Sequence, residues 1–455
     1  MTTHADCLWH DQLAATPRPP LPGDRSADVV IVGAGFTGLW TAYYLALADP
    51  TLRITVVERE VVGFGASGRN GGWCSALFPA TWRRMSREAP LHSVLAMQAA
   101  LEEAVDDVGK VAAAEGIDCH YVRGGSVSVT RNRAQQARAK AEVADARAWG
   151  FGPETLDLLT AEQTAARLRT TRALGALTTT HCAALQPALL VQGLAAAVER
   201  LGVVIHEGTA ATEVTQGRVR TTAGSLTCDV VLLATEGYTA QLAGHRRDLV
   251  PVYSLMLATE PLPAHVWQHI GLEDRATFSD HRHLTVYGQR TADGRIAFGG
   301  RGAPYHFGSR VDPSYDVVDR VHEALRTSLI DMFPVLADVQ ITHRWGGNLG
   351  VPRDWYPSVG FDRATGTAWA GGYVGDGVAA SHLAGRTVAD LVVGDATDRT
   401  RLPWVRQRTA RWEPEPLRWL GVNGVTQLMS RADRAEARSE RPSRTAAAFW
   451  RRLGQ

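Results

Sequence analysis

Lysine is almost absent from this 455-residue chain: Lys110 and Lys140 are the only two, and arginine supplies the rest of its 48 basic side chains. Any mechanism that needs a lysine therefore has two candidates. An excess of one charge is lacking too. Forty-eight basic against 47 acidic residues leave a formal charge of +1, too weak a field to hold nucleic acid or an anionic membrane. The five cysteines, Cys7, Cys74, Cys119, Cys182 and Cys228, form no CxxC pair and no regular spacing. That argues against structural zinc, an iron–sulfur cluster or a disulfide framework, and suits a reducing cytoplasm. Nowhere do eighteen uncharged apolar residues follow one another, and no apolar run stands behind a basic start, so neither a membrane span nor a secretory leader is expected. With 45% hydrophobic and 21% charged residues the chain can bury the cores of two or three domains, and the partner class that remains is a small molecule.

Pro17, Pro19, Pro20, Pro22 and Gly23 mark residues 1–26 as an extended arm expected to lie on the surface. Apolar runs at 29–32 and 54–57 flank a helical pattern over 37–48, a βαβ unit. Apolar positions at helical spacing from Leu91 predict a long amphipathic helix that stops at Gly116. A strand is expected over 121–130 and a solvated helix over 134–149. Thr160 with Gln163 makes a capping box, and Pro187 opens a helix that ends at Gly202. Strands are expected at 203–206, 219–222, 230–234, 252–259, 283–287 and 295–298, then a helix-rich stretch to Leu336 and a final helix over 378–393. The last sixty residues carry Trp404, Trp412, Trp419 and Trp450 and are expected to pack onto their own domain. There is no internal repeat.

Gly33-Ala34-Gly35-Phe36-Thr37-Gly38 joins the first strand to the first helix, and Glu58 ends the next strand. Gly33 permits the tight turn, Gly35 lets the backbone approach a pyrophosphate, and Gly38 lets the helix pack on the sheet. The helix N-terminus favours phosphate charge, and Glu58 is placed to accept from ribose hydroxyls. NAD and FAD share the ADP half this turn binds, so the turn alone leaves both open. The loop Gly63-Phe64-Gly65-Ala66-Ser67-Gly68-Arg69-Asn70-Gly71-Gly72 follows at once, and its glycines allow close approach to a large planar ligand.

These motifs together resemble the FAD-dependent amine and D-amino acid oxidoreductase superfamily, and within it the gamma-glutamylputrescine oxidoreductase branch. Leu185-Gln186-Pro187, Ala234-Thr235, Phe298-Gly299-Gly300-Arg301 and Ala370-Gly371-Gly372-Tyr373-Val374-Gly375-Asp376-Gly377-Val378 extend the likeness over roughly residues 20–395. The resemblance implies an α/β fold with a discontinuous Rossmann-like FAD domain (27–90, 175–249, 346–395). An inserted α+β substrate domain with an antiparallel sheet (91–174, 250–345) and a helical tail (396–455) complete it. It implies FAD contacts from Gly33, Gly35, Phe36, Thr37, Gly38, Glu58, Arg59, Ala66, Ser67, Arg69, Asn70, Gly71, Gly72, Ala211, Ala234, Thr235, Gly372, Gly375, Asp376, Gly377 and Val378. The chain also departs from its relatives. Asp376 stands where the branch often has histidine, and is readable as a substrate contact, a lever on flavin potential or a helix cap. No lysine lies in 295–299, where oxygen-activating relatives carry one, so an electron acceptor other than oxygen is conceivable. No cysteine near Gly346 and no histidine in the first flavin loop offers a covalent link, so non-covalent FAD is expected.

The implied activity is oxidation of a C–N bond in a primary or secondary amine, such as a gamma-glutamyl-polyamine or amino acid. Hydride passes to the flavin, and the imine hydrolyses to an aldehyde or keto product. Substrate-side candidates are Tyr253, Tyr287, Arg301, Trp345, Asn348 and Tyr373. Arg301 is suited to a substrate carboxylate and the aromatics to an ammonium or alkyl wall, although each also reads as an ordinary salt bridge or core residue. A hydroxy-acid or polyol dehydrogenase is the alternative enzyme. A flavin-holding subunit that docks through its tryptophan-rich tail is the alternative of another kind.

Overall fold

Short valine- and isoleucine-rich runs form the centre of a six-stranded sheet in the computed structural model, which describes residues 7–13, 17–405 and 410–453. The strand order is Ser358–Asp362, Thr367–Gly371, Val230–Leu233, Val29–Val32, Ile54–Val57, Val204–His206, parallel except for the first pair. All four residues of Val29–Val32 are buried, because both faces of the sheet are covered. Alternation divides them: Val29 and Ile31 face a helical layer, whereas Val30 and Val32 face a small sheet of Arg25–Ser26, Gly224–Thr227, Arg218–Thr221 and Ala211–Thr215. In the helical layer Phe36–Ala48 crosses Gly377–Val393 at Gly385, where a Cβ would lie 2.6 Å from Trp40 Cβ.

The second body is an eight-stranded sheet in the order Ile341–Val351, Val250–Thr259, Ile296–Gly300, Val286–Arg290, Thr277–Asp280, Ser126–Thr130, Gly175–Thr179, Asp157–Leu159. It is antiparallel except where Thr277–Asp280 meets Ser126–Thr130. The helix Asp319–Met332 packs Leu325, Leu329 and Met332 into a core on one face, with Phe278 and Phe298. The other face carries Met256, Tyr287 and Trp345 toward the first body.

Several expected boundaries move, each for a packing reason. The helix Leu91–Ala114, assigned above to the inserted domain, buries Val94, Met97, Leu101, Val105 and Val108 in the core of the nucleotide sheet, where its apolar stripe finds a partner. Gly175–Thr179, assigned to the FAD domain, is a strand of the larger sheet, and Ile341–Val351 runs unbroken through the expected break at 345/346. The strand expected at 283–287 begins at Val286, because His283 is drawn to the tail helix Leu417–Ser439, its ring 3.1 Å from Glu436 Oε1. The arm is not wholly on the surface: Cys7, Leu8 and Trp9 are buried between the two bodies. Residues 1–6 lie outside the described residues. The tail packs onto the chain as expected, with Trp404 buried and Trp412 Nε1 donating to the Val351 carbonyl at 2.8 Å, although Trp419 is exposed. Among the described residues no helix is long and apolar enough to cross a membrane.

Candidate active site

The turn after Val29–Val32 sets the site. Gly33 has φ +109°, and a Cβ there would lie 2.6 Å from the Ala234 carbonyl oxygen. Ala34 N–H donates to Glu58 Oε2 at 2.9 Å and Glu60 N–H to Oε1 at 3.0 Å. Burial raises the Glu58 carboxyl above its ordinary range, and these two backbone donors oppose the shift. Phe36 N–H donates to Ser67 Oγ at 2.8 Å, so the glycine turn and the second loop are joined directly. Gly35 has no room for a side chain, since a Cβ would sit 2.8 Å from that same Oγ. Gly38 packs against the Gly33 carbonyl and Ile31, the helix-to-strand contact expected of it.

Between these elements lies a cavity of about 1230 Å³, the open space at its mouth included. Three distant segments supply most of its wall, the turn with the 64–70 loop, residues 234–242 after the Val230–Leu233 strand, and the last segment from Tyr373 to Ser381, with Ala211, Asn348 and Leu349 adding to it. The N-termini of the two crossing helices, at Phe36 and Gly377, open on it and favour anionic groups. Of the expected cofactor contacts, Gly33, Gly35, Phe36, Thr37, Glu58, Arg59, Ala66, Ser67, Asn70, Ala211, Ala234, Thr235, Gly375, Gly377 and Val378 line this cavity. A glycine-walled channel with two helix starts and a carboxylate at its sheet edge fits a flavin dinucleotide.

Other expected contacts lie off the wall. Arg69 is committed elsewhere, its Nη1 2.6 Å from Asp316 Oδ2 and its guanidinium 4.5 Å from the Phe64 ring centre. Burial lifts the Asp316 carboxyl to about 6 against the pull of Arg69. Gly71 leaves room for Tyr287, whose Cε2 would be 2.6 Å from a Cβ, and Gly72 O accepts from Leu185 N–H at 2.9 Å. Gly372 and Asp376 flank the wall without lining it.

The substrate candidates separate in the same way. Trp345 is buried, donates from Nε1 to the Arg69 carbonyl at 2.9 Å, and meets Trp9 edge-on at 6.0 Å. It braces the loop from behind. Trp9 does the same one residue further on, its Nε1 donating to the Asn70 carbonyl at 2.8 Å. Tyr253 lies in a core with its ring edge-on to Tyr315 at 5.8 Å, and its hydroxyl accepts from Asp312 N–H at 3.3 Å. Asn348 lines the cofactor cavity beside Tyr253, and Tyr373 is also on that wall, its hydroxyl 3.0 Å from Thr37 Oγ1.

Tyr287, Arg301 and Asp376 lie near one another outside the cavity wall, close enough for their charges to interact. The Tyr287 hydroxyl is 2.8 Å from Ser254 Oγ, and its ring meets Trp73 edge-on at 6.0 Å. Arg301 Nη2 donates to the Val374 carbonyl at 3.0 Å. Asp376 stands at the start of the last helix, yet its side chain caps no N–H. Burial raises its carboxyl, the Arg301 charge opposes the shift, and Tyr287 feels the Asp376 charge in turn. Glu236, Tyr238 and Leu349 also line the cavity and were missed. Of these, Glu236 had a sequence signal, a carboxylate close behind a nucleotide-sheet strand.

Fold and cavity together define a dinucleotide-binding flavoenzyme. Residues 28–391 match the family of FAD dependent oxidoreductases (DAO), and the chain belongs to that family. It is 31% identical over 396 residues to a probable oxidoreductase OrdL of Rhizobium meliloti (strain 1021), covering 84% of this chain and 86% of that one. It is 30% identical over 377 residues to the gamma-glutamylputrescine oxidoreductase of Escherichia coli (strain K12), covering 82% and 84%. Among solved structures, glycine oxidase from Geobacillus kaustophilus superposes with a TM-score of 0.71 at 20% identity, over 85% of this chain and 99% of that one. The protein is thus an FAD-dependent oxidoreductase related to amine and amino acid oxidases.

Proposed function

We propose that the enzyme oxidises a C–N bond in a primary or secondary amine that also carries a carboxylate, an amino acid or gamma-glutamyl-polyamine being examples. The observation that carries this reading is Asp376, a partly buried carboxylate at a helix start that caps no backbone N–H and faces Arg301 and Tyr287. FAD, when bound, supplies the two-electron acceptor for the C–H bond beside the nitrogen. The chain's residues prepare the donor. Arg301 offers its guanidinium to the carboxylate, and Tyr287 and Trp73 give apolar edges to the carbon skeleton. Asp376, made more basic by burial, accepts the ammonium proton on a carboxylate oxygen and so leaves the neutral amine that oxidation requires. A hydroxy acid would satisfy Arg301 but brings no ammonium proton for Asp376 to accept, which disfavours it.

We take the FAD to be held non-covalently and leave the electron acceptor, oxygen or another, to experiment. Five unpaired thiols suit a cytoplasmic setting. The test is anaerobic mixing of FAD-loaded enzyme with gamma-glutamylated polyamines, amino acids and hydroxy acids of matching skeleton. Bleaching of the visible flavin band by amines alone supports the reading. Bleaching by hydroxy acids alone rejects it.

A further inference from the structure

Glu236 opens the turn Glu236–Gln241, which Ala234 and Thr235 separate from the Val230–Leu233 strand, with the uncommon φ of +42°. Its carboxylate gathers backbone donors from another part of the chain. Gly372 N–H donates to Oε2 at 2.8 Å and Tyr373 N–H to Oε1 at 3.2 Å, and Gly350 N–H is a further donor. Space has been cleared for it: a Cβ at Gly371 would lie 2.7 Å from Oε2, and one at Gly350 would lie 3.0 Å away. Glycine at both positions is what the carboxylate requires. The connection continues, because the Tyr373 hydroxyl stands 3.0 Å from Thr37 Oγ1 in the phosphate turn. Glu236, Tyr373 and Thr37 all line the cofactor cavity.

We propose that Glu236 is a positioning residue for the flavin: its carboxylate locks the Gly372–Tyr373 backbone to the middle segment and so fixes where the last segment, and the helix N-terminus it leads into, meets the cofactor. The charge-assisted bonds join two of the three segments, and Tyr373 carries the join to the third. Burial raises the Glu236 carboxyl to about 7 against the pull of its three backbone donors, and above that pH its negative charge in the cavity wall opposes the build-up of electron density on reduction. This role holds whichever donor is oxidised, so failure of the amine reading leaves it standing.

Glu236→Gln keeps the shape of the side chain but removes its charge and replaces one acceptor oxygen with an N–H₂ group that opposes a backbone donor. The experiment measures apoprotein folding by circular dichroism, FAD affinity by fluorescence quenching, and the visible spectrum and midpoint potential of the loaded protein. The expected variant folds, binds FAD about tenfold more weakly, and holds it with a shifted visible band and a raised potential. Glu236→Asp, which keeps the charge with a shorter reach, is expected to recover the potential but not the affinity. Wild-type affinity, spectrum and potential in E236Q overturn the proposal. Should E236Q not fold, wild-type affinity and spectrum in E236D overturn it equally, and loss of folding in both variants assigns Glu236 to stability in place of positioning.

Discussion

Trp9 provides a direct way to ask whether the N-terminal segment holds the flavin loop. Its indole is 1% exposed, donates from Nε1 to the Asn70 carbonyl at 2.8 Å, and packs edge-on against Trp345 at 6.0 Å. Trp9→Phe keeps an aromatic ring but removes the donor. A carbonyl left without its partner costs about 1–3 kcal/mol when fully buried, an upper bound for half-buried Asn70. Asn70 lies on the cavity wall, so much of that cost falls on the conformation that binds FAD. The affinity should therefore drop, by at most about 5–150-fold. Titrating apoprotein with FAD gives the dissociation constant, and the gap between apo and loaded melting temperatures gives an independent measure. W9F with wild-type affinity and an unchanged gap would refute the reasoning, because the loop would then hold its shape without the strap.

Three further outcomes follow from the geometry. Gly33→Ala places a Cβ 2.6 Å from the Ala234 carbonyl oxygen at φ +109°; the backbone conformation alone costs about 1–2 kcal/mol, and FAD titration should reveal binding at least about tenfold weaker. Asp376→Asn should slow anaerobic bleaching by amines on the order of 100-fold and leave FAD affinity near wild type, as stopped-flow and equilibrium titration would report. The tail should loosen in acid. Burial alone would raise the Glu436 carboxyl, but hydrogen bonds from His283, Ser443 N–H and Arg138, with the Arg138 charge, hold it at about 2, below its ordinary 4.5. A depressed carboxyl stabilises the fold fully above its unfolded value. That contribution, on the order of 3 kcal/mol, is lost as pH falls from about 4.5 toward 2. Melting temperatures across this range should fall more steeply for wild type than for Glu436→Gln.

What the sequence disclosed was local. The glycine turn, Glu58 and the Thr160–Gln163 capping box each belong to one short stretch, and each stands where spacing placed it. Contacts that join distant stretches were hidden. Arg69 reads as an FAD contact because nothing nearby reveals Asp316, 247 residues later, as its partner. Trp345 looked like a substrate wall because the residues it braces, Arg69 and Trp9, lie far back in the chain. Gly175–Thr179 read as part of the nucleotide domain because its alternation does not say which sheet it joins, and pairing with Ser126–Thr130 decides. Glu236 was passed over for the same reason, since its donors sit more than a hundred residues away.

The central claim is that Asp376, beside the cavity, meets a cationic donor. An experimental structure of the FAD-loaded enzyme with a slowly reacting amine inhibitor tests it most directly. The inhibitor nitrogen should lie within hydrogen-bond distance of Asp376, with its carboxylate toward Arg301. An inhibitor bound with its nitrogen remote from Asp376, and that side chain turned to solvent, would contradict the account.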